Sequence, residues 1–338
     1  VNLGVTDLAF SATSSLGGAS SIAAIRNAAL AVRGGAASCV LVVVGWNGFS
    51  WLRPREGVPV PRHGLALTSA QDVVTDVMVP QGAIGPPQFY APVANRYRHT
   101  YGIDEHDAAA FALTMRRHAA NNDLAVMRDR PLTLEDYLAS PMISDPFRVL
   151  DCCLETDAAA AILVTSEERA RDLAQPVVSV LGAGEGRPDP PDDIAGRDDL
   201  LHIGLHGAAQ RAFEGSGVGV GDLDTVGIYD CFTYIALLQL EALGVCGPGE
   251  AGAFVRSGAA ELGGEVFGEL AGRGGLTRAL QAHEHDDGRP AVRRERRGIA
   301  AEHRDERRLD LVGGDALHHV VTEQHLRGRP PHRDVVSA

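Results

Sequence analysis

Four consecutive residues, Tyr229-Asp230-Cys231-Phe232, bring a phenol, a carboxyl group and a thiol together where a predicted strand meets a predicted helix. A tyrosine hydroxyl can donate a proton or stabilise a developing enolate or alkoxide, although with an ordinary pKa of about 10 it is protonated at neutral pH and is a poor base without help. Cys231 could act as a thiol nucleophile, but a cysteine one turn into a buried helix is more often a small apolar residue. The structural alternatives are that Tyr229 only packs between elements and that Asp230 only caps the helix.

Other polar residues carry weaker chemical signals. Ser20 lies at the start of a predicted helix, and no neighbouring base is present to activate its hydroxyl, so helix capping is the expected role. His202 and His206 have the i, i+4 spacing of paired metal ligands but lack the glutamate of the metalloprotease pattern, so we predict no metal site. Cys152 and Cys153 precede a predicted strand, in which adjacent side chains point to opposite faces.

Composition excludes several classes of protein. The net charge of -13 over 338 residues opposes broad nucleic-acid binding, which needs a basic surface. All 31 basic residues are arginine, so mechanisms that depend on a Schiff-base lysine or a P-loop lysine are excluded. The glycine-rich segment 182–186 has the wrong spacing for a dinucleotide fingerprint and is interpreted as an interdomain turn. The five cysteines show no framework spacing, and no leader or bilayer-length apolar run is present, which predicts a cytoplasmic protein with reduced thiols.

The elements that must position these residues alternate between helix and strand. The clearest pair is a helix with helically spaced apolar residues over 19–33, closed by Gly34 and Gly35, and a buried β-branched strand over 39–45. Segment 50–100 is predicted to be an excursion, and a proline-rich linker at 186–193 is predicted to divide the chain. The remaining predictions are a helix over 106–122 capped by Asp104, a strand ending at Thr165, a charged helix from Ser166, a short strand over 226–229 and a helix over 230–243. This alternation predicts the α/β class.

Four stretches in order resemble the thiolase superfamily, particularly the sterol-carrier-type thiolases and the lipid-transfer proteins related to them. They are GGASSIAAIRNAALAV, YGIDEHDAAAFALTMRRHAANN, PLTLEDYLASPMISDPFRVLDCCLETDAAAAILVTS and IYDCFTYIALLQLEALGVCGPGEAGAFV, which together lie within residues 10–258. The resemblance implies two similar halves packed as five layers, αβαβα, usually in a homodimer, with the active site between the halves.

The resemblance also assigns site positions. A typical thiolase carries its nucleophilic cysteine at the N-terminal end of the buried helix, where this chain has Gly18, so no acyl-enzyme is expected there. Tyr229 stands where sterol-carrier-type thiolases have the histidine of a His-Asp-Cys-Phe motif. The resemblance therefore implies Tyr229, Asp230 and Cys231 as catalytic residues, and Gly18, Ser20 and Phe232 as substrate-binding residues.

Both ends of the chain depart from the family pattern. The strand and helix region that normally precedes the nucleophile helix does not fit into residues 1–10, so we expect a truncation or a misplaced start. No aromatic residue follows Phe267, and seven of the 13 histidines lie in the last 66 residues. The expected domains are an incomplete N-terminal half over 1–175, an incomplete C-terminal half over 176–267, and an aberrant tail over 268–338.

A one-base frameshift explains the tail, because the degenerate codons for Gly268–Gly274 and His283–Asp287 permit family motifs in the next frame. The frame would change between about 256 and 268. The alternative is a genuine divergent basic extension. Metal binding by the histidines of the tail is not favoured, because they follow no ligand spacing.

The sequence thus leads to two main functional hypotheses and one minor alternative. The first is a thiolase-like lipid-transfer protein acting on acyl-CoA in lipid metabolism or steroid degradation, as a retro-aldol carbon–carbon lyase with Tyr229 as acid/base, or as an acyltransferase. The second is a non-catalytic acyl-CoA- or lipid-binding subunit, and the minor alternative is a degenerate acetyl-CoA acetyltransferase. Coenzyme A would arrive as part of the substrate, with no separate cofactor. A small OB-fold and zinc-bearing protein is the expected partner, and neither nucleic-acid binding nor a membrane span is expected.

Overall fold

The first helix and strand form as their sequences predict. The computed structural model describes residues 4–5, 7–47, 49, 78–188 and 196–260, with the backbone of two strands at 309–312 and 318–323. Helix α1 spans Ser20–Arg33 and buries Ile22, Ile25 and Ala28 on one face. It ends because the N–H of Gly34 bonds to the carbonyl oxygen of Leu30 at 2.8 Å and the chain then turns at Gly35, which has a φ of 73°.

Two long strands form a sheet beneath this helix. Strand β1, Cys39–Asn47, pairs antiparallel with a later strand, Asp157–Thr165, in continuous register from Cys39 opposite Thr165 to Asn47 opposite Asp157. Val42 joins Ile22 and Ile25 in a buried cluster, so one face of the sheet packs on α1. The other face, with Leu41, Val43 and Leu163, is exposed in the part of the chain that the structure describes.

A second, larger core is mainly helical. The first helices that contribute to it are α2, Pro86–Tyr101; α3, Glu105–Ala120; and α4, Leu134–Ala139. Asp104 caps α3 as predicted, because its side chain accepts hydrogen bonds from the backbone N–H groups of His106 and Asp107 while Asp107 bonds back to Asp104 N. The hairpin strands β2, Met142–Ser144, and β3, Phe147–Arg148, follow α4 and precede β4, which is the strand Asp157–Thr165.

The second half of the chain adds the layers on the far side of α1. The turn helix α5, Glu167–Ala170, is capped by Ser166, and β5 follows at Ser179–Glu185. Three helices come next: α6, Gly204–Ser216; α7, Thr233–Ala242; and α8, Ala251–Arg256. Strand β5 pairs with β7, His318–Glu323, which pairs with β6, Leu309–Val312. Sheet β1/β4, helix α1, sheet β5/β7/β6 and helix α6 are therefore successive layers, as expected for the predicted α/β class.

Segment 182–186 corrects one interpretation of the sequence. It is not an interdomain turn, because β5 runs through it to Glu185. The glycines serve close packing: a methyl group on Gly182 would lie 2.8 Å from the nitrogen of Ser216, and one on Gly184 would meet the carbonyl oxygen of Ala208. Bare backbone is needed for α6 to approach the strand this closely.

Two further predictions are wrong in detail. Residues 226–229 are not a strand, because no described strand pairs with them in a ladder. Helix α7 begins at Thr233 instead of 230, because Phe232 is extended with a φ of -147°. Helix α2, which starts on two prolines, lies within the last part of the excursion predicted over 50–100, and the excursion itself stays a prediction.

Other predictions concern residues that the structure does not describe. Most of the excursion, part of the proline-rich linker and most of the tail lie outside the described residues. The domain boundaries and the frameshift stay predictions, although strands β6 and β7 lie within the tail.

Candidate functional site

Tyr229 lies directly against Gly18. A Cβ placed on Gly18 would be 2.5 Å from Cε2 and 2.8 Å from the hydroxyl oxygen of Tyr229, closer than real Cβ atoms approach their neighbours. Any side chain at position 18 would collide with the phenol ring. The absence of a nucleophilic side chain at the start of α1 and the presence of tyrosine before α7 are therefore parts of one packing arrangement.

The loop before α1 is held by its own hydrogen bonds. The hydroxyl oxygen of Ser20 accepts from the N–H of Leu16 at 2.9 Å, and the hydroxyl donates to the carbonyl oxygen of Gly17 at 2.7 Å. The N-cap of α1 is Ala19, and no side chain caps it, so the capping role expected for Ser20 is wrong. Ser20 instead closes the turn that presents Gly18 to Tyr229.

The backbone of Tyr229 is fixed by a buried amide. The side-chain nitrogen of Gln239 donates to the carbonyl oxygen of Tyr229 at 2.7 Å and to that of Ile235 at 3.2 Å. Gln239 is completely buried in an otherwise apolar stretch of α7, and its side-chain oxygen has no hydrogen-bond partner among the described residues. Since a buried amide is costly unless it bonds, the two bonds that its nitrogen makes offset part of the cost of burying this glutamine.

A second loop runs alongside the Tyr229 segment. Cys152 and Phe232 form an isolated antiparallel bridge, and the N–H of Cys153 donates to the carbonyl oxygen of Cys231 at 3.1 Å. Cys152 packs on the helical core and Cys153 is exposed, so the adjacent thiols face different surroundings, as the sequence predicted. This loop places Cys153 beside the candidate site.

A buried carboxyl group anchors that loop. Asp151 accepts hydrogen bonds from the hydroxyl of Tyr137 at 2.5 Å, from the hydroxyl of Thr233, and from the N–H of Arg148 at 2.6 Å. Thr233 is the first residue of α7, so Asp151 ties the Cys152-Cys153 loop to the helix that follows Tyr229. Burial still raises the pKa of Asp151, against the lowering effect of these bonds.

The surroundings of Tyr229 and Cys153 raise the pKa of both side chains. Burial, reinforced by the neighbouring Cys231, Cys153 and Asp230, raises the pKa of Tyr229 well above its ordinary value. Burial, Asp230 and Glu155 raise the pKa of Cys153 to about 11. Tyr229 and Cys153 therefore enter any reaction at neutral pH as a neutral phenol and a neutral thiol.

Asp230 and Cys153 share an unusual combination of properties. Both residues are exposed to solvent, yet desolvation by surrounding protein is the main reason that the pKa of each is raised. The N-cap residue of α7 is Phe232, and no side chain caps this helix. The alternative that Asp230 only caps the helix is therefore wrong.

The site residues implied by the sequence fall into two groups. Gly18 and Tyr229 are in contact and Asp230, which follows Tyr229 in the chain, is exposed, whereas Cys231 is 5% exposed and Phe232 is 4% exposed. The Phe232 ring stacks on Phe147 with centroids 4.5 Å apart, inside the core. Burial also raises the pKa of Cys231 well above the ordinary thiol value. The catalytic and substrate-binding roles assigned to these residues stay predictions.

Sequence reasoning missed Cys153, Gln239 and Asp151. Only Gln239 had a local signal, as a single amide within the apolar run Ile235–Leu240. The positions of Cys153 and Asp151 depend on long-range pairing with Cys231 and Thr233, which local spacing does not reveal.

The remaining candidates are outside this site. His202 and His206 stack with ring centroids 4.7 Å apart, and His206 also contacts the carbonyl oxygen of Ile203 at 3.0 Å. The described residues contain no group of three or more His, Cys, Asp or Glu side chains that could hold a metal ion. In the same part of the chain, no helix combines the length and apolar character needed to cross a bilayer.

Known proteins resemble this chain in both sequence and fold. Residues 191–279 match the family described as Thiolase C-terminal domain-like. The 17-hydroxy-3-oxo-4-pregnene-20-carboxyl-CoA lyase of Mycobacterium tuberculosis is 38% identical over 271 residues, covering 78% of this chain and 68% of that protein. The steroid side-chain-cleaving aldolase of Thermomonospora curvata is 36% identical over 274 residues, with the same two shares. A solved Ltp2-ChsH2(DUF35) aldolase has a TM-score of 0.71 and 26% identity, covering 91% of this chain and 78% of its own.

Proposed function

Since this chain belongs to the thiolase superfamily, in the lipid-transfer-type branch that includes steroid side-chain-cleaving aldolases, we propose that it cleaves a β-hydroxyacyl-CoA by a retro-aldol reaction. The main support for this proposal is the packing of Tyr229 against Gly18. It removes the position from which a thiolase nucleophile would act and puts a proton-donating group in the same place. A reaction that needs no acyl-enzyme fits this site, and retro-aldol cleavage is such a reaction.

The chemistry requires two proton movements. A base removes the proton of the β-hydroxyl, the carbon bearing that oxygen becomes a ketone, and the bond between the α- and β-carbons breaks. The electron pair of that bond passes into the thioester as an enolate, whose α-carbon then takes up a proton. The products are a ketone and a shortened acyl-CoA, and no oxidant or reductant is consumed.

Tyr229 and Asp230 fit complementary parts of this sequence. The neutral phenol of Tyr229 can donate a hydrogen bond to the oxygen on which enolate charge develops, and its desolvated position strengthens that interaction. The raised pKa of Asp230 makes its carboxylate a better proton acceptor than an ordinary aspartate, so Asp230 is the base in this proposal.

Substrate class and partner follow from the relatives. The printed names of two relatives specify a pregnene carboxyl-CoA lyase and a steroid side-chain-cleaving aldolase, which supports a steroid bearing a CoA-activated side chain as the substrate class. The solved aldolase pairs Ltp2 with a DUF35 protein, which supports a small OB-fold and zinc-bearing partner for this chain. We also propose a homodimer, in keeping with the resemblance described above.

The decisive experiment compares the wild-type protein with Tyr229→Phe on a steroid CoA thioester carrying a tertiary β-hydroxyl, with and without a DUF35 partner. We expect mass spectrometry to detect the ketone and the short acyl-CoA for the wild type. Loss of the phenol hydroxyl should lower kcat by about 100-fold or more, as expected for loss of an acid or oxyanion donor. Tyr101→Phe, on the exposed end of α2, is the matched control and should retain activity.

Each other outcome favours a different function. Full activity in Tyr229→Phe would contradict the role of the phenol. Tight binding of acyl-CoA without turnover in the wild type would favour a binding subunit. An acyl group trapped on a cysteine would favour an acyltransferase.

A further inference from the structure

The proposed cleavage leaves one requirement unassigned: a group that returns a proton to the α-carbon of the enolate. Tyr229 is assigned to the oxygen of the enolate and Asp230 to the β-hydroxyl proton, so the proton for the α-carbon comes either from Asp230 in its protonated form or from a further group beside it. Two thiols lie next to these residues, Cys231 and Cys153. Cys231 is 5% exposed and is shielded from a substrate, whereas Cys153 is exposed.

Backbone pairing fixes where the Cys153 thiol lies. The Cys152–Phe232 bridge and the bond from Cys153 N–H to the carbonyl oxygen of Cys231 set the two segments antiparallel, with Cys153 opposite Cys231. Directly opposite residues share one side of such a pair. The same register brings Asp151 into hydrogen-bond contact with Thr233, which shows that opposite side chains meet here.

The surroundings connect Cys153 to the rest of the site. The negative charge of Asp230 raises the pKa of the Cys153 thiol. Cys153 in turn contributes to the raised pKa values of Tyr229 and Cys231. Desolvation by nearby protein is the largest cause of the raised pKa of both Cys153 and Asp230. Backbone pairing and these mutual effects together place Cys153 beside the Tyr229–Asp230 segment.

We propose that Cys153 is a catalytic residue that donates its Sγ proton to the α-carbon of the thioester enolate. The S–H bond breaks, a C–H bond forms at the α-carbon, and a thiolate is left on Cys153. The proton that Asp230 removed from the β-hydroxyl then returns to this thiolate, so the site ends each cycle in its starting protonation state. This assignment rests on the proposed retro-aldol function.

The raised pKa of Cys153, about 11, agrees with this role. A thiol with such a pKa stays protonated at neutral pH, which suits a proton donor and disfavours attack on a thioester as a thiolate. A retained proton also prevents Cys153 from replacing the nucleophile that Gly18 lacks.

The test isolates the carbon-protonation step from carbon–carbon cleavage. Propionyl-CoA incubated with the full-length protein in D2O should exchange its α-hydrogens for deuterium by the reverse of the proposed step: Asp230 accepts the Sγ proton of Cys153, and the thiolate then removes an α-hydrogen to form the enolate. Reprotonation by the deuterated thiol completes the exchange, and no β-hydroxyl is required. Mass spectrometry measures the exchange rate. We expect Cys153→Ala to lower this rate by about 100-fold, the lower end of the usual effect of a general acid or base. Cys152→Ala, which removes the adjacent thiol that packs on the core, should leave the exchange rate close to that of the wild type.

Controls separate catalysis from folding and from the proposed function. Circular dichroism should show that both alanine variants are folded, and the KM for propionyl-CoA exchange should change little in Cys153→Ala. Exchange that depends on Cys153 in a protein that fails to cleave the steroid substrate would support this inference and contradict the lyase function. Exchange that survives in Cys153→Ala, or that the wild type lacks, would overturn the inference whether or not cleavage occurs.

Discussion

The phenol ring of Tyr229 occupies the space that a side chain at position 18 would need, with its hydroxyl oxygen 2.8 Å from where the Cβ of that side chain would lie. A thiol at the start of α1 and a tyrosine before α7 are therefore mutually exclusive in this arrangement. The consequence is chemical as well as steric. With glycine at position 18, the site has room for the phenol of Tyr229 as a proton donor. It has no nucleophile at that position for covalent catalysis.

The first prediction tests this exclusion. Gly18→Ala should destabilise the protein by about 1–3 kcal/mol, the usual cost of overpacking, because the new methyl group collides with the Tyr229 ring. Adding Tyr229→Ala should make the Gly18→Ala change nearly neutral, since the obstacle is gone. Urea unfolding followed by circular dichroism measures both effects. Gly221→Ala is the matched control, because a Cβ there meets nothing within 4 Å. Equal costs of Gly18→Ala in the presence and absence of the Tyr229 ring would refute the contact.

Local sequence predicted the elements that are specified by nearby residues. Helix α1 has one apolar face and a glycine stop, and α3 has a reciprocal cap between Asp104 and Asp107, so both were found within two residues of their ends. Helix α2 was missed because it contains prolines at positions 86, 87 and 92. Proline is favourable in the first turn of a helix, but the same residue type usually indicates a break.

The remaining errors came from contacts that are distant in sequence. The glycines of β5 look like a turn until α6 is placed against them, because only then does the need for bare backbone become visible. Family resemblance identified Gly18 and Tyr229 separately, and no spacing rule places one against the other. Cys153 could not be found as a site residue because its position depends on pairing with Cys231.

The second prediction concerns Gln239, whose amide nitrogen holds the carbonyl oxygen of Tyr229. Gln239→Leu should lower kcat by about tenfold with a smaller change in KM, because the phenol loses its fixed position and ground-state binding of the CoA thioester is largely unaffected. Steady-state kinetics of the cleavage reaction provide the measurement. Gln210→Leu removes a glutamine from the exposed face of α6 and should leave both constants unchanged. A rise in KM alone would show that Gln239 serves binding.

The third prediction concerns Asp151, which accepts hydrogen bonds from Tyr137, Thr233 and the backbone of Arg148. Asp151→Ala should lower the free energy of unfolding by about 3 kcal/mol, because two buried hydroxyls and a partly buried N–H lose their acceptor. Asp129→Ala, on the exposed loop after α3, should change it by no more than about 0.5 kcal/mol. Urea unfolding of both variants checks these values, and an equal effect in the two would contradict the anchoring role.

The raised pKa of Asp151 also sets a pH dependence. A carboxyl group whose pKa is raised on folding binds its proton more tightly in the native state, so its contribution to stability falls as pH rises from the unfolded value through the folded one. The difference in unfolding free energy between the wild type and Asp151→Ala should therefore be largest near pH 4 and smaller at pH 7. A difference that grows with pH over this range would show that hydrogen bonding outweighs burial at this carboxyl group.

The fourth prediction uses the thiol of Cys153 as a reporter of the site. Its pKa of about 11 means that alkylation by iodoacetamide should be slow at pH 8 and should accelerate about tenfold per pH unit, because only the thiolate reacts. Asp230→Asn removes a negative neighbour, lowers the pKa of Cys153 and should raise the labelling rate at pH 8 several-fold. Asp172→Asn, beyond α5, is the distant control. Peptide mass spectrometry follows the modification of Cys153 specifically. An unchanged labelling rate in Asp230→Asn would show that the two side chains do not interact. It would therefore contradict the proposed return of the proton from Asp230 to Cys153.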